Sequence, residues 1–455
     1  MRRMASGVDS ANAETGRGGT LLERSEQLAA LNELLAAVAS TSQGRLVLIG
    51  GEAGVGKTAL VRCFSDRRSS AARVASGACD PLFTPRPLAP FQDLALEVGG
   101  EFAAAVDRAR PPHDVAAALL RALRLPSPTI VVLEDLHWAD EASLDVLRLV
   151  GRRARSVPAL LLFTYRDDQL GRAHPLRTLL GELGGAAAAV RLHLAPLSLG
   201  AVVELARPHA VDATELHRRT GGNPFFVTEV LAAGAGQIPA TVSDAVLARA
   251  ARLSPRGRTL LEAVAVVPPV AEVWLLHALC PDSVGCLEEC LQSGTLTAVA
   301  GGVAFRHELA RMSIEATLPP DQRLDLNSRA LVALSNRGGV DPSRVAHHAE
   351  VAGEAESVLR YAPAAAARAA STGAHRESAA QYARALRFAD RLPAVERGLL
   401  HELHSHETFL YGELDEAIAS RKRALDLFFE ADATDSQGPA LSLAMNSTDL
   451  SGPLT

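Results

Sequence analysis

Eight residues, Gly51-Glu52-Ala53-Gly54-Val55-Gly56-Lys57-Thr58, match the pattern G-x-x-x-x-G-K-[ST] in full. Glycines at these places let the backbone curl so that its N–H groups face phosphate oxygens, and a helix starting at the lysine adds positive charge from its N-terminus. In such a loop Lys57 reaches the β- and γ-phosphates and Thr58 holds Mg2+. The 46 basic residues of the chain include only two lysines, Lys57 and Lys422, so a lysine in this loop is not a by-product of composition. Further on, Glu134 and Asp135 close an apolar run, where one carboxylate can bind a magnesium water and another can polarise the attacking water. The usual order puts Asp first; here Glu leads, and which of the two serves the metal is open. Arg166 ends another apolar run and is placed to approach a γ-phosphate, a task suited to a planar guanidinium. The alternative for Arg166 is a solvent-exposed arginine opening the Asp167-Asp168 turn.

These residues need a scaffold, and the runs before them supply it. RLVLIGG ahead of the loop, TIVVL at 129–133 and ALLLFTY at 159–165 read as buried strands. Strands of this kind alternating with helices predict a mostly parallel sheet covered on both faces, with ligands at the carboxyl ends of the strands. All three runs place their polar residues at that end. Leucines at three- and four-residue steps predict an amphipathic helix over 21–38, capped around Ser25.

After Pro196 the text becomes helical, closing with a Gly-Gln-Ile-Pro punctuation near residue 236. From 241 to about 318 helices are followed by two short strands around Gly301-Gly302, the pattern of a winged helix. Its would-be reading helix carries Glu288 and Glu289 and no basic residue, which repels phosphate. Beyond 344 the chain is Ala-rich helix, and the stretches from Gly373 and Gly412 align at an offset of 39 residues, as in tetratricopeptide-like pairs somewhat longer than the usual 34. The division expected is a disordered 1–18, a P-loop NTPase core 19–195, a helical lid 196–238, a winged-helix-like part 239–320, tetratricopeptide-like repeats 321–430 and a flexible tail 431–455. The fold class is α/β plus α.

At 455 residues with 48% apolar content, the chain has material for several cores. A net charge of −6 gives no sign of a nucleic-acid or anionic-membrane binder. The first eighteen residues lack an apolar stretch fit for a signal peptide, and no segment has eighteen uninterrupted apolar residues, so a soluble cytoplasmic protein is expected. Five scattered cysteines suit a reduced compartment. Cys280, Cys286 and Cys290 lack the paired spacing of a zinc site, and His401, His404 and His406 cannot share one helix face, so the histidines are expected on a solvated helix face.

Taken together, LLERSEQLAALNELL, GGEAGVGKTALV, GACDPLFTPRPLAPFQDL, VVLEDLHWADEASLDVL, LLLFTYRDD, TGGNPFFVTEVL and FRHELAR resemble the large ATP-binding regulators of the LuxR type. Those belong to the STAND class of signalling P-loop NTPases, related to the AAA ATPases, and the resemblance runs from about residue 20 to 430. It implies ATP or ADP with Mg2+ as ligands. It also implies that Glu23 and Arg24 lie near the adenine, that Asn223 and Pro224 belong to the lid motif with the proline on adenine, and that His307 touches the β-phosphate of ADP. For His307 the competing expectation is a helix-capping histidine after the wing strand. Members of the family carry a C-terminal helix-turn-helix that binds DNA; no such basic pattern occurs here, so direct DNA contact is not expected. The resulting expectation is a slow ATPase switch with a small-molecule or protein effector on the helical array and a possible homo-oligomer in the ATP state. The alternatives are a steadily turning AAA-like motor, a protein-binding scaffold with structural nucleotide, or a module of the kind found beside adenylyl cyclases.

Overall fold

Apolar runs of six residues, rich in Val, Ile and Leu and buried at nearly every position, form the central strands of a sheet covered on both faces. Five strands, β1 (Arg45–Gly50), β2 (Arg73–Ala78), β3 (Thr129–Glu134), β4 (Ala159–Thr164) and β5 (Ala189–His193), form one parallel sheet in the order β2-β3-β4-β1-β5. This computed structural model describes residues 21–434 apart from 70, 81–83, 172–173, 186–187, 210 and 234–240. The expected disordered lead-in and the punctuation near 236 lie outside the described residues, as does the expected tail 431–455 except for residues 431–434, which belong to the Leu414–Thr434 helix.

Alternate side chains of the three central strands go to opposite cores, as the two-residue period requires. Leu46, Leu48, Val131, Leu133, Leu161 and Phe163 join one cluster, and Val47, Ile49, Ile130, Val132, Leu160 and Leu162 the other. The second cluster is roofed by the Ser25–Thr41 and Lys57–Arg68 helices through Leu31, Leu35, Val38, Leu60 and Phe64.

Two strands escaped the sequence reading for different reasons. β2, RVASGA, is built of small residues because the Ala89–Val98 helix lies on it: a Cβ at Gly77 would stand 1.9 Å from the Pro90 carbonyl oxygen. β5, AVRLH, is an edge strand, partly exposed and therefore not an apolar run. The first helix also starts later than expected, at Ser25, with Arg24 as its N-cap and no side-chain capping bond, so Ser25 does not cap it.

Beyond β5 come the helices Leu199–Ala206, Ala213–Thr220 and Pro224–Ala233. A small unit follows, with helices Val242–Ala250, Pro255–Ala265, Val273–Leu279 and Leu287–Gln292 against an antiparallel sheet of β6 (Ala271–Glu272), β7 (Leu296–Val299) and β8 (Gly302–Phe305), in the order β6-β8-β7. The β7–β8 hairpin turns at Gly301 as the sequence suggested; the two-residue β6 was too short to read. Its acidic Leu287–Gln292 helix packs inward: Glu289 accepts hydrogen bonds from the Ser254 N–H and hydroxyl, both at 2.6 Å.

The remaining described residues are largely helical. Their second half contains the pairs Ala355–Ser371 with His375–Leu386 and Ala394–Leu410 with Leu414–Thr434. Gly373 and Gly412, the two aligned glycines, both end the first helix of a pair in the left-handed region, with φ 76° and 98°. One expectation fails here. His401 and His404 are not on a solvated face; both ring Nδ1 atoms meet the Ser420 hydroxyl, at 3.0 and 3.1 Å, where the last two helices pack together.

Candidate nucleotide site

The loop between β1 and the Lys57–Arg68 helix is closed on its own lysine. Lys57 Nζ donates to the carbonyl oxygens of Gly51 (2.6 Å) and Glu52 (2.8 Å), and it is 6% exposed. Burial lowers its pKa, opposed by the Asp135 carboxylate. An ammonium whose partners are carbonyls of the loop itself is free to exchange them for stronger anionic acceptors.

Thr58 donates its hydroxyl to Glu134 at the end of β3. Asp135, the next residue, sits in the left-handed region (φ 57°), and its N–H donates to the Thr164 hydroxyl at 3.0 Å. The two carboxylates therefore point to different tasks: Glu134 joins the loop threonine, and Asp135 faces the cations. Burial raises the pKa of both. Arg166 lies 4.0 Å from Asp135, with its guanidinium 4.7 Å over the Trp138 ring, and its Nη1 is buried without a hydrogen-bond partner. The solvent-exposed alternative for Arg166 does not hold, since the residue is 6% exposed.

Parts of the chain distant in sequence reach the same loop. Arg24 Nη2 donates to the carbonyl oxygens of Val55 (3.2 Å) and Ala195 (2.7 Å), joining the loop to the end of β5. Glu23 accepts the Ser198 hydroxyl and, at 2.9 Å, the Ser198 N–H, which ties the same corner to the Leu199–Ala206 helix and, through the hydroxyl first, lowers the Glu23 pKa. Asn223 Nδ2 donates to the Ala53 carbonyl (2.8 Å), and the Phe225 N–H donates to the Gly54 carbonyl (3.1 Å). Gly54 is required at this contact: its φ is 79°, and a Cβ there would stand 2.8 Å from both Asn223 Oδ1 and Phe225 Cβ. Pro224 opens the Pro224–Ala233 helix between these two contacts. His307 occupies the N-cap position of the Glu308–Ala316 helix, yet makes no capping bond with its side chain. Its ring instead lies on Phe225, with centroids 4.4 Å apart, and burial, aided by Arg306, Arg249 and Arg62, lowers its pKa to about 4.

Sequence reasoning singled out neither Phe225 nor the segment just after Asp135. There His137 is 5% exposed with both ring nitrogens unpartnered, and burial, Arg166 and Lys57 lower its pKa to about 2. Both residues fall inside the family-like strings, but nothing in composition or spacing marks an aromatic or a histidine as part of a site.

This donor set fits a magnesium nucleotide. It has a cation held only by loop carbonyls, a helix N-terminus, a hydroxyl joined to a carboxylate, and a buried guanidinium nitrogen with nothing to bind. Among the described residues no group of three or more His, Cys, Asp or Glu is arranged to hold a metal unaided. No helix among them is long and apolar enough to cross a membrane.

Residues 20–163 match the family described as AAA ATPase domain, a stretch that spans the loop and the β3 carboxylates. An uncharacterized protein of Rhizobium meliloti (strain 1021) is 27% identical, the match covering 78% of this chain and 41% of that protein. The crystal structure of the signal transduction ATPase with numerous domains (STAND) protein with a tetratricopeptide repeat sensor, from Pyrococcus horikoshii, superposes with a TM-score of 0.52 at 13% identity, covering 88% of this chain and 64% of that one. The chain thus spans about two fifths of the curated relative and under two thirds of the solved structure. At such identity the structural likeness is one of fold: a parallel-sheet ATPase domain carrying a helical array. Together with the loop geometry, the family match makes the N-terminal part a nucleotide-binding P-loop ATPase domain.

Proposed function

We propose that the chain is a signalling switch of the LuxR-type, STAND kind, in which ATP or ADP at the Gly51–Thr58 loop sets how the lid, the small β6–β8 unit and the helical array pack. One observation carries this reading: the lid holds the loop backbone directly, through Asn223 on Ala53 and Phe225 on Gly54, and the β6–β8 unit leans on the same Phe225 through His307. A change in loop conformation must therefore be passed to both. In a steadily turning motor such contacts are a liability, because each turnover has to break them.

In this reading Lys57 and the loop N–H groups take the phosphates, Glu134 with Thr58 takes Mg2+, Asp135 orients water and Arg166 meets the γ-phosphate. Arg24, Asn223 and Pro224 enclose the nucleotide, and His307 reports its state. Mg2+ supplies neutralisation of charge on the β- and γ-phosphates. The β6–β8 unit is read as a winged helix turned inward, with its acidic helix spent on capping Ser254 rather than on DNA. The helical array takes the effector, the output is signal-dependent transcriptional regulation in the cytoplasm, and an effector acts by binding one packing better than the other.

The test is to purify the chain, identify the nucleotide that comes with it, and follow hydrolysis in wild type and Lys57→Ala. Retained ADP with turnover well below ~1 s⁻¹, the low end of ordinary enzymes, supports the switch, and Lys57→Ala should lose the nucleotide. Rapid turnover, or wild-type protein that binds no nucleotide, overturns it.

A further inference from the structure

A histidine with both ring nitrogens buried and unpartnered is costly, since each polar group removed from water without a replacement loses on the order of 1–3 kcal/mol. His137 is such a residue, and it lies two positions past Asp135. The chain between them is held firmly. It forms the short 3-10 turn Leu136–Trp138; the His137 carbonyl oxygen meets His174 Nε2 at 3.1 Å; and Asp140 caps the Glu141–Arg152 helix, accepting the N–H groups of Ser143 at 3.0 Å and Leu88 at 3.1 Å. The ring is wedged beside Trp138, with centroids 4.4 Å apart, and Arg166 covers that same indole. Its Nδ1 stands 3.9 Å from Asp135 Oδ1, while Arg166 Nε stands 4.0 Å from the same oxygen.

Both distances exceed a hydrogen bond by about 1 Å. Asp135 is thus suspended between a cation and an imidazole, in contact with neither. Groups that act on a reacting water commonly show such long separations before the ligand is in place, and tighten with it.

We propose that His137 is a positioning residue for Asp135, its Nδ1–H closing onto the carboxylate and fixing the direction in which Asp135 presents its other oxygen to the attacking water. Among such cations the ring is neutral and carries one N–H, so donation from Nδ1 leaves Nε2 as an acceptor. A neutral donor suits this place better than a third cation beside Lys57 and Arg166, because it orients the carboxylate while lowering its basicity less than a full positive charge would. Trp138 serves as the wall that keeps both the ring and the guanidinium at their present distances. This inference rests on the nucleotide reading above, and it assigns a role within it that the loop pattern does not contain.

The test compares two substitutions of similar size and polarity. His137→Asn places an amide nitrogen near the Nδ1 position, and His137→Gln places one near Nε2. Calorimetric titration with ADP alone, and with ADP plus aluminium fluoride and Mg2+ as a mimic of the hydrolytic transition state, reads the difference. Both variants should bind ADP within about twofold of wild type; His137→Asn should keep the fluoride complex within about threefold, while His137→Gln should lose about tenfold, the equivalent of one hydrogen bond of ~1.4 kcal/mol. Asn and Gln behaving alike overturns the proposal, as does ADP affinity falling in parallel with that of the fluoride complex, which is the mark of a merely structural histidine. Wild type that binds ADP but gains nothing from aluminium fluoride overturns the role of His137 alone. Wild type that binds neither overturns the nucleotide switch as well.

Discussion

Glu134 and Asp135 are neighbours in sequence and opposites in surroundings. Glu134 shares a hydrogen bond with Thr58, whereas Asp135 is turned by its left-handed backbone toward Arg166 and Lys57. Two substitutions should therefore separate two losses. Glu134→Gln is expected to abolish the gain in ATP affinity that Mg2+ brings, about tenfold, while leaving metal-free ADP binding intact. Asp135→Asn is expected to keep Mg2+-dependent binding and lower hydrolysis by about 10²-fold or more, within the range for loss of a general base. Titrations with and without Mg2+ beside a phosphate-release assay check both, and the reverse pattern reverses the assignment. The pair itself was legible from sequence because carboxylates ending a buried strand stand out. The difference in their surroundings was not, since it depends on one φ angle and on which side chain the loop threonine meets.

The Pro224–Ala233 helix and the loop form a pair of elements whose contact is backbone on one side. Asn223 spends its amide nitrogen on the Ala53 carbonyl and its oxygen on the Phe225 N–H at 3.1 Å, so one side chain caps its own helix and clamps the loop. Asn223→Ala takes this donor from the Ala53 carbonyl and leaves the Phe225 N–H with the Gly54 carbonyl alone, a cost of ~1–2 kcal/mol that should appear as dissociation of bound ADP faster by about tenfold, with the fold otherwise preserved. Stopped-flow displacement of a fluorescent ADP measures this, and an unchanged rate would mean that the lid does not retain nucleotide. Sequence reading found this motif only through its likeness to a family, because Gly-Gly-Asn-Pro is locally indistinguishable from a turn before a helix. What it missed at this scale follows the same logic: β2 and β5 lack apolar runs for reasons of close packing and edge position, and a two-residue β6 has no pattern to show.

Across the whole molecule, the array meets the ATPase core at the Glu141–Arg152 helix, the next helix after the Leu136–Trp138 turn that follows Asp135. Ala369 and Ala374 are buried in the same cluster as Leu133 and Phe163, and Arg384 Nη2 reaches the Thr84 hydroxyl at 3.4 Å. The Glu141–Arg152 and His375–Leu386 helices exchange caps at their N-termini: Glu377 accepts the Glu141 N–H at 3.3 Å, and Glu141 accepts the Arg376 N–H at 3.1 Å. Glu377 is 6% exposed and faces Asp140 as well as Glu141, while His375, two residues before it, pairs with Glu407 at 2.8 Å. Burial first, and the Asp140 carboxylate next, push the Glu377 pKa well above its ordinary 4.5. A carboxyl raised in the folded state binds its proton more tightly there than in the unfolded chain. Its contribution is therefore full below the ordinary glutamate range and is lost as pH rises from there through the raised value. Depressed histidines, His137, His307, His347 and His348 among them, work in the opposite sense, so wild-type stability alone does not isolate Glu377. The difference between wild type and Glu377→Gln does. The amide keeps an acceptor for Glu141 and cannot ionise, so the variant should match wild type within ~0.5 kcal/mol near pH 4.5 and exceed it by ~1–2 kcal/mol near pH 8.5 in urea unfolding of the first transition. A difference that stays flat across that window would mean that Glu377 ionises freely in the folded chain. The array would then be joined to the segment carrying Asp135 by apolar contact and helix capping alone, and its docking would carry no proton with it.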